Sequence, residues 1–256
     1  MTTPTAAQRL SEQRLGKLPV RIDVRTLSLV RYVDRRRLPS PPPALDEASA
    51  VDAWPLYAND RIGDCTVTAA AHMIEAWTAA CRGEPVVISD RSVLAAFQRV
   101  KTVDPDTGED GAVALDVLRH WRKSGIARHR IGAFARVPVH ESALVRTAAW
   151  LFGGLYIGVQ LPLTAETQET WDWTRSLAGR ARPGSWGGHA VNVVGYDARG
   201  VAVVTWDRVM RMTWSFWDRY VDECYCILSK DFLDAGKAPN GFYLAALEAD
   251  LALVTA

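Results

Sequence analysis

The sequence predicts an α+β fold with two lobes, and the order of its local patterns is the reason. Apolar residues recur at helical spacing in the first part of the chain, and strand-like apolar runs follow. Helices first and strands later are typical of a protein in which the two kinds of element are segregated. With 256 residues, 48% of them hydrophobic and 23% charged, the chain has a globular composition and can bury a large core.

Four helices are predicted before the strands. The first begins at Cys65, because apolar residues recur at helical spacing from Val67 to Trp77 and Asp64 is placed to cap the first turn. The others are ISDRSVLAAFQRV, the stretch GEDGAVALDVLRHWRKSGI that Gly125 ends, and ESALVRTAAW. The predicted strands are LYIGVQL, HAVNVVGY, VAVVTW and YCIL.

Residues 1–54 are predicted to form an N-terminal arm or linker, and residues 55–256 the folded domain. The arm contains RRRLPSPPPALDE, whose prolines and charges cannot continue a helix or a central strand. The opening MTTPTAAQRLSEQRLGK has no apolar core of signal-peptide length, and no later run reaches the roughly 18 apolar residues of a membrane span. We therefore expect a cytoplasmic protein, or one exported by an unrecognised route.

The charge and the motifs limit the partners that the sequence predicts. Lysines and arginines nearly balance the acidic residues, and the net charge of +1 gives no field towards nucleic acid or a membrane. DPDTGEDG resembles a calcium loop, but the twelfth position from Asp104 is Leu115 rather than a glutamate. The cysteine spacing fits no zinc site. We expect no metal, no cofactor, no nucleic acid and no membrane partner.

Cys65 differs from the other cysteines in its polar, glycine-containing surroundings. Cys224 and Cys226 alternate within an apolar strand pattern and are predicted to be reduced core thiols. Cys65 instead follows NDRIGD and opens a helix. The positive end of a helix can lower a thiol pKa well below its free value of about 8.5, which favours the nucleophilic thiolate. Cys65 is therefore the candidate nucleophile.

The residues just before Cys65 suit the chemistry of a thiolate that attacks a carbonyl. Gly63 leaves room for the backbone of another molecule. Asn59, six residues upstream, can place an amide NH₂ where it and the Cys65 backbone N–H would donate to an oxyanion. Asp64 works against a thiolate unless its carboxylate turns away to cap the helix. Asn59 is therefore predicted to take part in catalysis.

His189 is the candidate base. It stands in GSWGGHAVNVVGY, with glycines before it and an apolar strand after it, which holds an imidazole rigidly at the edge of a cleft. His72 lies on the Cys65 helix, about 10 Å away by helical rise, and cannot reach the thiol. The remaining histidines lie within a helix or among arginines and a proline, and are expected to be surface or packing residues: His120, His129 and His140.

These residues resemble the papain superfamily of cysteine peptidases. The order of elements is that of the family: a cysteine on a helix, a histidine on a strand and a polar orienting residue on the next strand. GDC resembles the cysteine-bearing turn, Asn59 takes the place of the oxyanion-hole glutamine, and HAVNVVGYD is the most specific match. The resemblance spans roughly residues 55–230. It implies a helical N-terminal lobe that carries the nucleophile and an antiparallel β lobe that carries the histidine.

The chain departs from the family at the orienting residue. The asparagine that precedes a tryptophan in the family is missing from VVTWDR, and no aromatic residue follows the nucleophile. Thr205 and Asp207 lie sixteen and eighteen residues after His189 and have the same strand parity, so either can face it. A carboxylate would fix the tautomer and stabilise imidazolium, so we prefer Asp207 and keep Thr205 as the alternative.

The resemblance implies a thiol-dependent hydrolase, a cysteine peptidase that cleaves peptide or isopeptide bonds through a thioester on Cys65. It also implies a peptide or protein substrate. We further expect a monomer, and we expect the proline-rich arm, which contains no motif for this role, to cover the cleft as a pro-segment does. One alternative keeps the thioester but transfers the acyl group to an amine, as in a transferase, cyclase or amidase. A second is a degenerate fold that binds peptides without turnover.

Overall fold

The computed structural model describes residues 13–31, 40–105 and 107–232 of the chain. The described residues include three α-helices in the first half of the chain, a fourth just after its midpoint and one short α-helix between two strands near the end. The α-helices are α1 (Cys65–Arg82), α2 (Asp90–Val100), α3 (Ala114–Lys123), α4 (Ser142–Leu151) and α5 (Trp214–Tyr220).

One large sheet organises the second half of the described chain. Its strands lie in the order β4-β10-β5-β7-β8-β9-β6, and β1 pairs with β7. All these pairs are antiparallel except the one between β6 and β9. A separate pair is formed by β2 and β3. The strands are β1 (Leu45–Asp46), β2 (Thr102–Val103), β3 (Asp110–Gly111), β4 (Ile131–Arg136), β5 (Leu155–Leu161), β6 (Thr170–Trp171), β7 (Gly187–Tyr196), β8 (Gly200–Thr205), β9 (Arg208–Thr213) and β10 (Val221–Ser229).

The α+β prediction is confirmed, and most elements lie where the patterns placed them. α1 starts at Cys65 as predicted and continues to Arg82, where Gly83 ends it in the left-handed region with φ 81°. The third predicted helix is shorter, because its first residues, Asp110–Gly111, pair with β2 instead. β4, β9 and α5 were not predicted.

The hydrophobic core has two large parts, one in each lobe. One lies among α1, α2 and α3 and includes Trp77, Phe97 and Trp121. The other lies between the sheet and α4 and α5, and includes Trp171 and Trp217. α1 packs against β7 at the junction, so the start of the helix meets the start of the strand. The fold thereby places the predicted nucleophile and the predicted base on two elements that pack together.

The described part of residues 1–54 packs on the domain rather than leading up to it. β1 adds to the sheet beside β7, and Lys17 and Ser28 form isolated bridges with Ala112 and Arg136. The backbone groups of these arm residues are paired with the domain, as those of a covering segment would be, and the domain boundary after residue 54 stays a prediction. The first five residues of the proline-rich stretch, 35–39, lie outside the described residues.

Within the described ranges, no helix combines the length and apolarity that crossing a bilayer would require.

Candidate active site

Cys65 lies at the first position of α1, where the sequence placed it, and only 1% of its surface is exposed. Burial raises the pKa of the thiol to about 11, although backbone hydrogen bonds from Ala190 and Gly16 act in the opposite direction. The expectation of a lowered thiol pKa is therefore wrong for this covered site. Loss of water is the largest influence on the thiol.

Asp64 occupies the N-cap position of α1, but its side chain makes no capping hydrogen bond. The carboxyl is fully buried, and burial raises its pKa to about 7. Thr68 and Asn59 lie close enough to favour the carboxylate, but their contacts fall short of hydrogen-bond geometry and do not offset burial. The predicted cap is thus absent, and near neutral pH part of the Asp64 population carries no charge beside the thiol.

His189 stands near the start of β7 and is also 1% exposed. Its neighbour Ala190 is the residue whose backbone contacts the Cys65 thiol, so the imidazole lies at the same end of the cleft. Burial lowers the pKa of His189 to about 3. In this covered state burial therefore favours a neutral thiol at Cys65 and a neutral imidazole at His189.

Thr205 orients His189. Its Oγ1 lies 2.8 Å from Nε2 of the imidazole. The Trp206 ring stacks on the imidazole with the ring centres 4.7 Å apart, so the plane of the ring is fixed as well. The other nitrogen, Nδ1, is buried and has no hydrogen-bond partner among the described residues, which leaves it free for the thiol proton.

The preference for Asp207 over Thr205 is wrong in this structure. Strand β8 ends at Thr205, and Trp206 follows with φ 53° in the left-handed region. The alternation of sides that would have turned Asp207 towards His189 is therefore lost. Asp207 lies in the exposed turn, where its Oδ1 is 3.0 Å from Arg208 Nε.

Asn59 lies in the cleft, 1% exposed, with its amide next to the arm. Its Nδ2 donates to the backbone carbonyl of Ile62 at 3.2 Å and to that of Arg14 at 3.4 Å. The second bond shows that the amide can reach a peptide carbonyl in the cleft. Its role in catalysis remains a prediction.

Residues 13–18, the cleft segment of the arm, pass directly over the predicted nucleophile. The segment approaches so closely that a Cβ on Gly16 would lie 1.9 Å from the Gly63 carbonyl oxygen. A Cβ on Gly63 would lie 2.9 Å from the Gly16 Cα. The room that Gly63 was expected to leave for another backbone is thus filled by the chain's own arm.

Three features of the site were not found from the sequence. The sequence patterns did not single out the tryptophan that stacks on His189, or Lys17, or the two carboxylates that pair with Lys17. The glycines at positions 16, 63 and 188 were the available signal, because a backbone can come this close only where side chains are missing. No group of side chains suited to a metal ion occurs in the described ranges.

The fold is that of the papain-like cysteine proteases. Xylellain, a cysteine protease from Xylella fastidiosa, superposes with a TM-score of 0.63 at 17% identity, over 85% of this chain and 97% of that one. Procathepsin B S9 from Trypanosoma congolense gives a TM-score of 0.60 at 13% identity, over 86% and 87% of the two chains. Digestive procathepsin L 3 from Tenebrio molitor gives 0.56 at 13% identity, over 86% and 77%. Protein-family profiles and curated proteins give no match to the sequence.

Replacing Thr205 is expected to disturb His189 more than replacing Asp207. Thr205→Val removes a neutral hydrogen bond worth about 1 kcal/mol and should lower the rate of Cys65 alkylation roughly fivefold. Asp207→Asn should leave the rate within about twofold, because the exposed carboxylate does not touch the imidazole. For both variants the rate of Cys65 alkylation is measured against pH in a chain that also carries Gly16→Val, which keeps the arm away from the thiol. A shifted profile for Asp207→Asn with an unchanged one for Thr205→Val would restore Asp207 as the orienting residue.

Proposed function

We propose that the chain is a thiol-dependent hydrolase of peptide or isopeptide bonds, with Cys65 as nucleophile and His189 as base. The observation that supports this proposal is that the cleft over Cys65 already holds an extended peptide, residues 14–18. Arg14 N donates to the Asn59 carbonyl at 3.2 Å, and Lys17 N to the Gly188 carbonyl at 3.1 Å. These bonds use only backbone groups, so a peptide substrate of any sequence can make them.

A second edge of the cleft is provided by Ala112. Its N–H donates to the Gly16 carbonyl at 2.8 Å, and its carbonyl accepts from Leu18 N at 3.0 Å. A substrate that pairs with the same edge would be held as a short added strand between Ala112 and Gly188. Such pairing fixes the scissile carbonyl relative to Cys65, which is the positioning that a covalent mechanism requires.

The residues present suffice for a thioester mechanism. His189 takes the proton of the Cys65 thiol, and the thiolate attacks the carbonyl carbon of the substrate. The Asn59 amide and the Cys65 backbone N–H donate to the oxyanion that forms. The oxyanion collapses to a thioester, and imidazolium gives its proton to the departing amine. His189 then removes a proton from water, which attacks the thioester and releases the acid together with free Cys65.

We also propose that the cleft segment keeps this enzyme latent. Gly16 presents its N–H to the thiol, whereas attack requires a carbonyl carbon at the sulfur. The segment therefore fills the cleft without offering a bond to cleave. Its cover also removes water from Cys65 and His189, which favours their neutral, unreactive forms.

Alkylation of Cys65 by iodoacetamide tests the proposed function. In a chain with Gly16→Val we expect stoichiometric labelling of Cys65 at neutral pH, and at least a tenfold slower reaction when His189→Ala is added, because the base that makes the thiolate is then missing. Peptide mapping by mass spectrometry identifies the labelled cysteine. His140→Ala is the control, since this histidine is exposed and distant in sequence from the cleft residues.

Equal labelling with and without His189 would contradict the proposal and favour a fold that only binds peptides. Cleavage products separate hydrolysis from acyl transfer. Free acid in the presence of an added amine supports hydrolysis, and an amide product would show that the thioester is passed to the amine instead.

A further inference from the structure

A closed acidic pocket lies beside the nucleophile and holds the ammonium group of Lys17. The Lys17 side chain has no exposed surface. Its Nζ lies 2.9 Å from Asp222 Oδ2 and 3.1 Å from Glu223 Oε1. It also donates to the carbonyl of Leu18 at 3.3 Å. A lysine side chain is rarely buried without contact with water. These two carboxylates compensate for the hydration that the ammonium group has lost.

The pocket exists because one residue in its wall has no side chain. Gly158 of β5 lies opposite Glu223 of β10 in the sheet. A Cβ on Gly158 would lie 2.1 Å from Lys17 Cε, 2.6 Å from Glu223 Cγ and 2.7 Å from Asp222 Oδ1. Nothing in its backbone calls for glycine, since its φ is not positive. The missing side chain therefore makes room for a long side chain that enters from the cleft.

The carboxylates are held in place by neighbours, and they retain free acceptor capacity. Gln160 Nε2 donates to Asp222 Oδ2 at 2.6 Å, and Tyr225 donates its hydroxyl to Glu223 Oε2 at 2.9 Å. Asp222 Oδ1 is buried and accepts no hydrogen bond within the described part of the chain, and Glu223 Oε1 meets only the Lys17 ammonium, at 3.1 Å. Those acceptors suit a guanidinium, which brings more donors than an ammonium.

The position of the pocket relates it to the reaction. Gly16 takes the place at the thiol, and Lys17, the next residue, fills the pocket while its N–H is bound to Gly188. A substrate that runs between the same backbone edges in the direction opposite to the segment would therefore place in the pocket the side chain of the residue directly before the one that Cys65 attacks. If the segment leaves, Asp222 and Glu223 lose the cation that Lys17 supplies, which carries a free-energy cost for carboxylates in a pocket. An incoming cationic side chain removes that cost.

We propose that this pocket, lined by Gly158, Gln160, Asp222 and Glu223, selects substrates with lysine or arginine next to the residue attacked by Cys65. The inference rests on the proposed function, and it adds the class of substrate. The cleft segment is then a tethered ligand that occupies the pocket with Lys17 until it is displaced.

Two peptide substrates that differ in one charge test the pocket directly. Acetyl-Lys-Gly and acetyl-norleucine-Gly aminocoumarin amides have the same side-chain stem, and only the first carries an ammonium. In the full chain with Gly16→Val we expect the lysine peptide to have at least a tenfold higher kcat/KM. Glu223→Gln should reduce this ratio several-fold, because it keeps the shape and removes a charge. The control Asp218→Asn changes an exposed carboxylate on α5 and should leave the ratio unchanged.

The outcomes separate this inference from the function on which it rests. Cys65-dependent cleavage of both peptides at rates within twofold would overturn the basic pocket and leave the hydrolase standing. If neither peptide is cleaved, the pocket is tested instead by the rate of Cys65 alkylation in the full chain without Gly16→Val, in which the arm is in place. Lys17→Met should then release the segment and raise that rate at least tenfold, while Lys17→Arg should keep it low. Equal rates for the two variants would overturn the pocket, and labelling that does not depend on His189 would overturn the hydrolase.

Discussion

Cys65→Ala is expected to lower peptide hydrolysis at least about a thousandfold in the chain with Gly16→Val, because no other group in the cleft can form the thioester. The fold should persist. The substitution removes one buried sulfur at the start of α1, where the rest of the helix is packed in the core of the helical lobe. A loss of roughly 1–2 kcal/mol is typical for such a truncation. Hydrolysis of the lysine peptide gives the rate, and thermal unfolding monitored by circular dichroism gives the stability.

A second buried thiol provides the matched control. Cys226 on β10 is free and 2% exposed, and it lies in the other core. Cys226→Ala should cost similar stability and leave the rate within about twofold, because the residue has no place in the cleft. Residual hydrolysis above about one per cent of the parent rate in Cys65→Ala would end the nucleophilic role of Cys65, since losing a nucleophile usually costs several orders of magnitude.

Periodicity predicted the elements whose faces are cleanly apolar. β5 and β7 are buried on nearly every residue, so continuous apolar runs marked them. β9 was missed because arginines alternate with its buried methionines, Met210 and Met212, and the segment is short. β4 lies at the end of the sheet order and mixes exposed and buried residues, so its pattern is weak as well. These segments are fixed by their pairing partners, which a local pattern does not contain.

The candidate site could be predicted only as far as it depends on local sequence. Cys65 and His189 stood out because polar or glycine-rich residues interrupt apolar patterns next to them. The choice between Thr205 and Asp207 depended on the left-handed backbone at Trp206, and a tryptophan gives no sign of such a conformation. The Lys17 pocket depends on Gly158 and Glu223, which are far from Lys17 in sequence and come together only in the folded sheet.

Displacing the arm should raise the reactivity of Cys65 by about a hundredfold at neutral pH. Valine at position 16 cannot fit, because even its Cβ would lie 1.9 Å from the Gly63 carbonyl oxygen. Once the cleft segment leaves, water reaches the thiol, and burial no longer holds the thiol pKa at about 11. A return to about 8.5 raises the thiolate fraction at neutral pH more than a hundredfold, since each pKa step of one is a factor of ten.

The pH dependence of alkylation identifies the cause of this gain. Thiolate is the reactive form, so both chains should react faster as pH rises, and the midpoint of the Gly16→Val profile should lie lower by about two pH steps. Gly132→Val is the control, because the nearest atom to a Cβ at this exposed position of β4 is 3.6 Å away, an ordinary contact. Its profile should match that of the parent chain. If Gly16→Val also matches the parent, the arm does not cover Cys65 in solution and latency must be abandoned. A faster reaction with an unmoved midpoint would instead show that the arm blocks access without changing the acidity of the thiol.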